Sequence, residues 1–216
     1  SVAKAGKLRI KSRSDNKLVP YGRGAEAIAR QCKEEGTEIA EEEAQALIDA
    51  YFASYPGTEQ FLATCRARSQ PPYQWLSTAF GRRRRFVRST DRSVIGEQER
   101  QAQNFPIQGT VADAISRAID HLYWYRYSHP ECHFRMLLQI HDALLFEVPL
   151  AELAQFKEIV TECMCRRVPI YPRNVDNTPM PVSQPYYFAV DMDVAINWGE
   201  KITDAQLTEL GITKSW

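Results

Sequence analysis

Four groups of residues in this 216-residue chain have types and spacings that suit chemistry. One is Gln139-Ile140-His141-Asp142-Ala143-Leu144-Leu145-Phe146-Glu147, a single carboxylate between two apolar runs, with Arg135-Met136-Leu137-Leu138 ahead of it. The pattern predicts a strand, a tight break and a second strand. Such a hairpin holds Asp142 on a rigid support, which suits a carboxylate that keeps a metal ion in a fixed place. An Asp at a break of this kind also suits a plain turn, and the segment alone leaves both readings open.

The second group is Phe80-Gly81-Arg82-Arg83-Arg84-Arg85-Phe86-Val87-Arg88. On a hairpin, successive side chains alternate faces, so Arg82 and Arg84 share a side from which they can meet a phosphate backbone. The flanking phenylalanines tie the run into a core; a solvated charged turn is the competing reading. In the third group Arg100, Asn104 and Gln108 are spaced four apart and line one stripe of a helix. Amide side chains both donate and accept, which suits sequence-tolerant contacts in a minor groove. The adjoining Pro106-Ile107-Gln108-Gly109 is costly in a mere surface helix and asks for a reason. The fourth group is Arg9, Arg13, Lys17 and Tyr21, again four apart. On a helix these cations would clamp a triphosphate while the ring stacks beside a base. A frayed basic tail competes with that reading, since Pro20 weakens the helix.

Two other clusters are set aside. His129, Cys132 and His133 are close together but lack the second pair of ligands that a zinc site uses. Asp191 and Asp193 share a strand face and read as exposed side chains on a terminal strand.

The elements that must position these groups follow from periodicity. A helix is predicted from Gly24 through Lys33, ended by Gly36. A second has Ala44, Leu47, Ile48, Tyr51, Phe52 and Tyr55 on one stripe, acidic residues in its first turn, and Pro56-Gly57 as its stop. A short helix over Glu59 to Arg68 precedes a strand–turn–strand from Trp75 to Val87. Glu97 to Tyr127 reads as a long helix with a kink or fresh start near Pro106 and Gly109. Beyond the Asp142 hairpin come an amphipathic helix over Leu150 to Arg167, a proline-rich surface loop over 168–185, and a closing strand from Tyr187 to Ile196.

Composition bounds the class. At 44% hydrophobic and 25% charged residues the chain has the make-up of a soluble globular protein, with ample length for a core. No apolar run comes near the roughly 18 residues that span a bilayer, so no membrane partner is expected. Five cysteines without a disulfide-like framework predict a reducing, cytoplasmic setting. With zero net charge, affinity for nucleic acid must come from local basic patches.

Taken in order, Tyr21-Gly22, an amphipathic helix, Phe-Gly-Arg-Arg-Arg, Asn-x-Pro-x-Gln-Gly and Gln-x-His-Asp closely resemble the carboxy-terminal half of family-A DNA polymerases. The match runs from about Tyr21 to Trp198. Single-subunit RNA polymerases share the His-Asp hairpin but not the Phe-Gly-Arg-Arg-Arg and Pro-x-Gln-Gly pair in this form. The resemblance implies an α+β fold, an antiparallel palm sheet with packed helices plus a helical fingers remnant. Residues 1–80 would be the end of the fingers and residues 81–216 the second half of the palm. It makes Asp142 one of two metal-binding aspartates, serving two Mg2+ ions, and puts His141 and Gln139 near the primer terminus. It places Arg100, Asn104 and Gln108 along the minor groove of template-primer DNA, Tyr21 beside the nascent base pair, and Arg9 and Arg13 on the triphosphate of a dNTP.

The sequence departs from the family at Lys17 and Leu18, where an aromatic residue and a glycine are usual, and at Ala143, where a Glu is usual. A second register makes Lys4 the triphosphate lysine. The chain starts at Ser1 in mid-pattern, and the family's other catalytic Asp is expected upstream, on the same gene or a separate chain. The expected function is template-dependent DNA synthesis that needs that upstream part. A non-catalytic DNA-binding remnant and an assembly subunit without a DNA role are the alternatives.

Overall fold

The computed structural model describes residues 6–9, 24–34, 38–181, 184–195 and 202–209. Packing divides the chain into two units, one of 1–12, 111–172 and 181–216, the other of 13–110 and 173–180. Helices with small antiparallel sheets make the fold α+β, as expected.

The first unit is built on a sheet of four strands in the order β4-β5-β1-β6, with β1 at Gly6–Arg9, β4 at Arg135–Ile140, β5 at Ala143–Glu147 and β6 at Asp191–Val194. All three pairings are antiparallel. Alternation fails in β5, where Ala143, Leu144, Leu145 and Phe146 are all buried, as in a strand covered on both faces. Phe134, Phe146 and Phe156 form a triangle of rings with centroids 4.9–6.3 Å apart. The helix expected over Leu150 to Arg167 changes pitch along its length. A 3-10 turn at Leu150–Glu152 leads into α5 at Leu153–Val160 and a π segment at Thr161–Arg166. Its apolar side is as the spacing predicts, with Leu153, Phe156, Ile159, Val160 and Met164 buried. A short helix, α6 at Asp204–Glu209, was not foreseen.

One expectation is overturned here. Gly6–Arg9 is not the start of a cationic helix but a strand between β5 and β6. A segment with Gly6, Lys7 and Arg9 has little apolar periodicity to hold a helix. As a strand it instead satisfies the backbone groups along an edge of both neighbours.

The second unit holds α1 (Ala25–Glu34), α2 (Glu41–Ser54) and α3 (Pro56–Ser69). Ala25, Ile28, Ala44 and Ile48 form one core cluster, backed by Phe52. Leu47 points to solvent, so the buried stripe of α2 is narrower than the spacing implies. Glu43 accepts a hydrogen bond from the Ala40 backbone N–H and closes the helix start. Pro56 does more than stop α2: it opens α3 at a first-turn position, where its missing N–H costs nothing. The strands β2 (Trp75–Ser77) and β3 (Arg83–Arg85) pair around Gly81.

The helix α4, Arg92–Ser128, runs 37 residues and contributes to both units. Asp91 caps it, accepting from the Ser93 hydroxyl and from the Ser93 N–H, each at 2.8 Å, and these bonds hold the Asp91 carboxyl below its ordinary pKa. Pro106 lies inside the helix and no fresh start occurs there. The proline-rich stretch is also more ordered than a surface loop. Val168, Ile170 and Val175 are buried, and Ile170 pairs with Tyr186 and Arg173 with Pro179.

Candidate functional site

In the first unit, Ile140 pairs with Ala143, which leaves His141 and Asp142 as a two-residue hairpin turn. Two-residue hairpins require positive φ to match the strand twist. His141 supplies it at φ 53°, a conformation in which His is more at home than most non-glycine residues. Gln139 donates from Nε2 to the His141 carbonyl at 3.2 Å and so ties strand to turn. Asp142 is half-buried at the tip, next to the buried run Ala143–Phe146 of β5. At the foot of the hairpin, Glu152 accepts from both the His133 N–H (2.9 Å) and Nδ1 (2.6 Å). The three residues near position 130 do not converge on one point: His129 stacks on Tyr125 and His133 pairs with Glu152.

Arg9 lies in β1, with its backbone in register with Ala143 on one side and Asp191 on the other. Arg13 and Tyr21, with Lys4, Lys17 and Leu18, lie outside the described residues.

In the second unit, the arginine hairpin turns at Gly81, φ 87°. Arg82 and Arg84 share a face, as alternation requires, and that face is turned to α4. Arg82 Nη2 donates to the Gly109 carbonyl at 3.1 Å, its guanidinium 5.5 Å from the Phe105 ring centre. Arg84 donates to Gln101 Oε1 and lies over Phe86. Arg83 stacks on Trp75 at 4.6 Å, and all of Arg83–Arg85 is exposed. Arg83 and Arg85, on the face not singled out from the sequence, are as exposed as Arg84.

Along α4, Arg100 pairs with Glu97 at 2.6 Å, while Gln108 is exposed. Bonds from Gln101 and Arg100 hold the Glu97 carboxyl below its ordinary pKa. Asn104 Oδ1 is buried without a hydrogen-bond partner, a cost of about 1–3 kcal/mol. The Pro-x-Gln-Gly segment has its reason in the hairpin. A Cβ on Gly109 would lie 2.7 Å from Thr78 Cγ2, so only glycine lets the hairpin loop approach the helix this closely. Thr110 Oγ1 completes the joint, donating to the Pro106 carbonyl and accepting from the Ala79 N–H.

The sequence profile of DNA polymerase family A matches residues 5–201. The chain belongs to that family. It is 33% identical over 183 residues to DNA polymerase I of Mycobacterium tuberculosis, covering 84% of this chain and 19% of the relative. With DNA polymerase I of Rhizobium leguminosarum it shares 30% over 205 residues, 90% of this chain and 18% of the relative. The fold is also that of the POL domain of Pol1 from M. smegmatis, solved in complex with DNA primer-template and dNTP. That likeness has a TM-score of 0.68 and 23% identity, over 88% of this chain and 39% of that one. The chain thus spans about a fifth of the length of the curated relatives it matches.

For a family-A polymerase the donor set at the hairpin is sparse. Among the described residues no group of three or more His, Cys, Asp or Glu could hold a metal ion. Beside β5 lies Gly6-Lys7-Leu8-Arg9, without a carboxylate. Asp191 is one strand further, about 10 Å away across two strand spacings. A two-metal centre has its ions about 4 Å apart, and among the described residues Asp142 by itself does not make the donor set of such a pair.

Proposed function

We propose that this chain is the fingers-tail and palm portion of a template-dependent DNA polymerase, completed by a carboxylate from outside these 216 residues. Residues 1–80 belong in this reading to the fingers and 81–216 to the palm. The observation that carries it is Asp142, held at the tip of the His-Asp hairpin by a positive-φ turn on a buried strand. Asp142 is one oxygen donor for Mg2+, a cation that takes carboxylate ligands and keeps several waters. Gln139 and His141 sit beside it for the primer end. Arg100, Asn104 and Gln108 follow the duplex, and the arginine hairpin meets its phosphates with Arg83 and Arg85 added to Arg82 and Arg84. Arg9, Arg13 and Tyr21 remain the candidates for the dNTP.

Primer extension tests this reading. The purified 216 residues with Mg2+ are expected to bind template-primer DNA in a salt-dependent way and to add no nucleotide. Supplying the carboxylate-bearing upstream part is expected to start synthesis, and Asp142→Ala to abolish it. Robust extension by the chain alone would overturn the need for a second donor. A non-catalytic DNA-binding module is the second reading, favoured by the cationic β1 beside the hairpin and by Ala143. It predicts binding unchanged in Asp142→Ala and no synthesis after any reconstitution.

A further inference from the structure

The segment Arg173–Met180 leaves the first unit after Pro172, packs wholly within the second, and returns at Pro181. It is a small self-bonded hairpin. Asn174 and Thr178 bond through backbone and side chains at 2.8 Å, and Thr178 Oγ1 donates to Asp176 Oδ1 at 2.6 Å. Arg173 Nη1 donates to the Asn177 carbonyl, and Asn177 takes φ 68° at the bend.

Its contacts converge on the arginine hairpin. The Val175 carbonyl accepts from the Ser77 N–H at 2.8 Å, which satisfies the outer edge of β2. The Val175 side chain enters the core cluster with Leu76, Phe86 and Phe105. Asp176 Oδ2 lies 3.7 Å from Arg68 Nη1, and the Arg68 guanidinium lies over both Tyr73 and Trp75, at 4.4 and 5.1 Å. Trp75 carries Arg83 as well. At the turn, a Cβ on Gly81 would come within 3.2 Å of Asn177 Oδ1.

A two-stranded hairpin with three-residue strands is not stable by itself in water. Its inner side is fixed to α4 through Arg82 and Thr110. We propose that Arg173–Met180 is a strap that fixes its outer side, with Val175 and Asp176 as positioning residues that aim Arg83 and Arg85 at nucleic-acid phosphates. The proposal deepens the DNA-binding reading of the arginine hairpin and rests on it. Through Asp176, Arg68 and Trp75, the strap sets where the Arg83 guanidinium stands. Through Ser77, it sets the line of β2 and hence of β3.

The test is fluorescence anisotropy on a labelled template-primer duplex over a range of salt, with the full chain. The variants are Asp176→Ala, Asp176→Glu, and a Gly/Ser replacement of 173–180 of equal length. Replacement of the strap is expected to weaken duplex binding about tenfold and to flatten the salt slope by about 1–2, as phosphate contacts are lost. Asp176→Ala is expected to lose about threefold, a share of that effect, and Asp176→Glu to restore most of it. Arg83→Ala placed on top of the strap replacement should then cost little more. Should the replacement fail to fold, the Asp176 pair decides alone. Wild-type binding with an unchanged affinity and slope in Asp176→Ala overturns the strap proposal. A wild type that binds no duplex at low salt overturns instead the DNA-binding reading beneath it.

Discussion

The hairpin from Arg135 to Glu147 carries its support in its own second strand, where Ala143 through Phe146 are buried. In the hairpin from Trp75 to Arg85 the whole second strand is exposed, and support comes from α4 on one side and residues 173–180 on the other. Both turns use positive φ, at His141 and at Gly81. The difference suits the two tasks proposed for them. A metal-binding carboxylate must stand within a fraction of an ångström of its place, which a buried strand provides. A row of arginines that meets phosphates must remain solvated and needs only its direction fixed. Rigidity is therefore internal in one hairpin and borrowed in the other.

The largest expected effect separates internal from borrowed support. Phe146 is fully buried within the ring triangle, so Phe146→Ala should destabilise the fold by about 3–5 kcal/mol. Arg83 is exposed and stacks on Trp75, so Arg83→Ala should cost no more than about 1 kcal/mol of stability while weakening duplex binding. Urea unfolding of the two variants measures both. Comparable losses of stability would mean that the arginine hairpin is a core element, and the contrast would be lost.

A smaller effect probes the borrowed support directly. Gly109→Ala gains about 1 kcal/mol in helix propensity, but the new methyl meets Thr78 Cγ2 at 2.7 Å and the Phe105 ring at 3.2 Å. Thr78 and Phe105 are both buried and have little room to yield. Overpacking of this kind costs about 1–3 kcal/mol, so the net change should be a loss of about 1 kcal/mol, less than for Phe146→Ala. A stabilised Gly109→Ala variant would show that the hairpin loop is free to move off the helix.

How far the sequence revealed these two regions differs in the same way. The Asp142 hairpin was legible down to its turn, because its apolar runs are local and the break between them is short. The α1 and α5 faces were legible for the same reason, and that of α2 in part, since Leu47 and Tyr55 of its stripe are exposed. Arg9 was read into a helix because four-residue spacing also occurs in segments whose backbone partners lie far away in the sequence. Its strand is decided by Ala143 and Asp191, more than 130 and 180 positions on, which no local pattern carries. The role of Gly109 was visible only as an oddity, since its explanation is a side chain 31 residues earlier. The strap was invisible: five prolines suggested a loop, and nothing local said that Val175 would be buried beside Leu76.

The smallest effect sharpens the comparison by pH, because each hairpin has a carboxylate anchor behind it. Bonds from the His133 N–H and ring hold the Glu152 carboxyl below its ordinary value of 4.5. Bonds from Thr178, with Arg68 adding to them, hold Asp176 below 3.8. A carboxyl whose pKa is lower in the folded state stabilises the fold above its unfolded value, and that stability is lost as pH falls through the folded value. The loss therefore sets in below about 4.5 for Glu152 and only below about 3.8 for Asp176. Glu152→Gln and Asp176→Asn remove the titration and leave an amide of nearly the same shape. At pH 7 each variant should unfold at slightly lower urea than the wild type, and each gap should close as the solution is acidified. The Glu152 gap should begin to close at the higher pH. Both anchors are exposed enough that water screens them, so the gaps will be modest, and the order in which they close is the informative result. Gaps that stay constant from pH 7 to pH 3 would mean that neither carboxylate anchors its hairpin through charge. An inverted order would contradict the ordinary values of 4.5 and 3.8 that set the two onsets, and with them the assignment of the gaps to these two carboxyls.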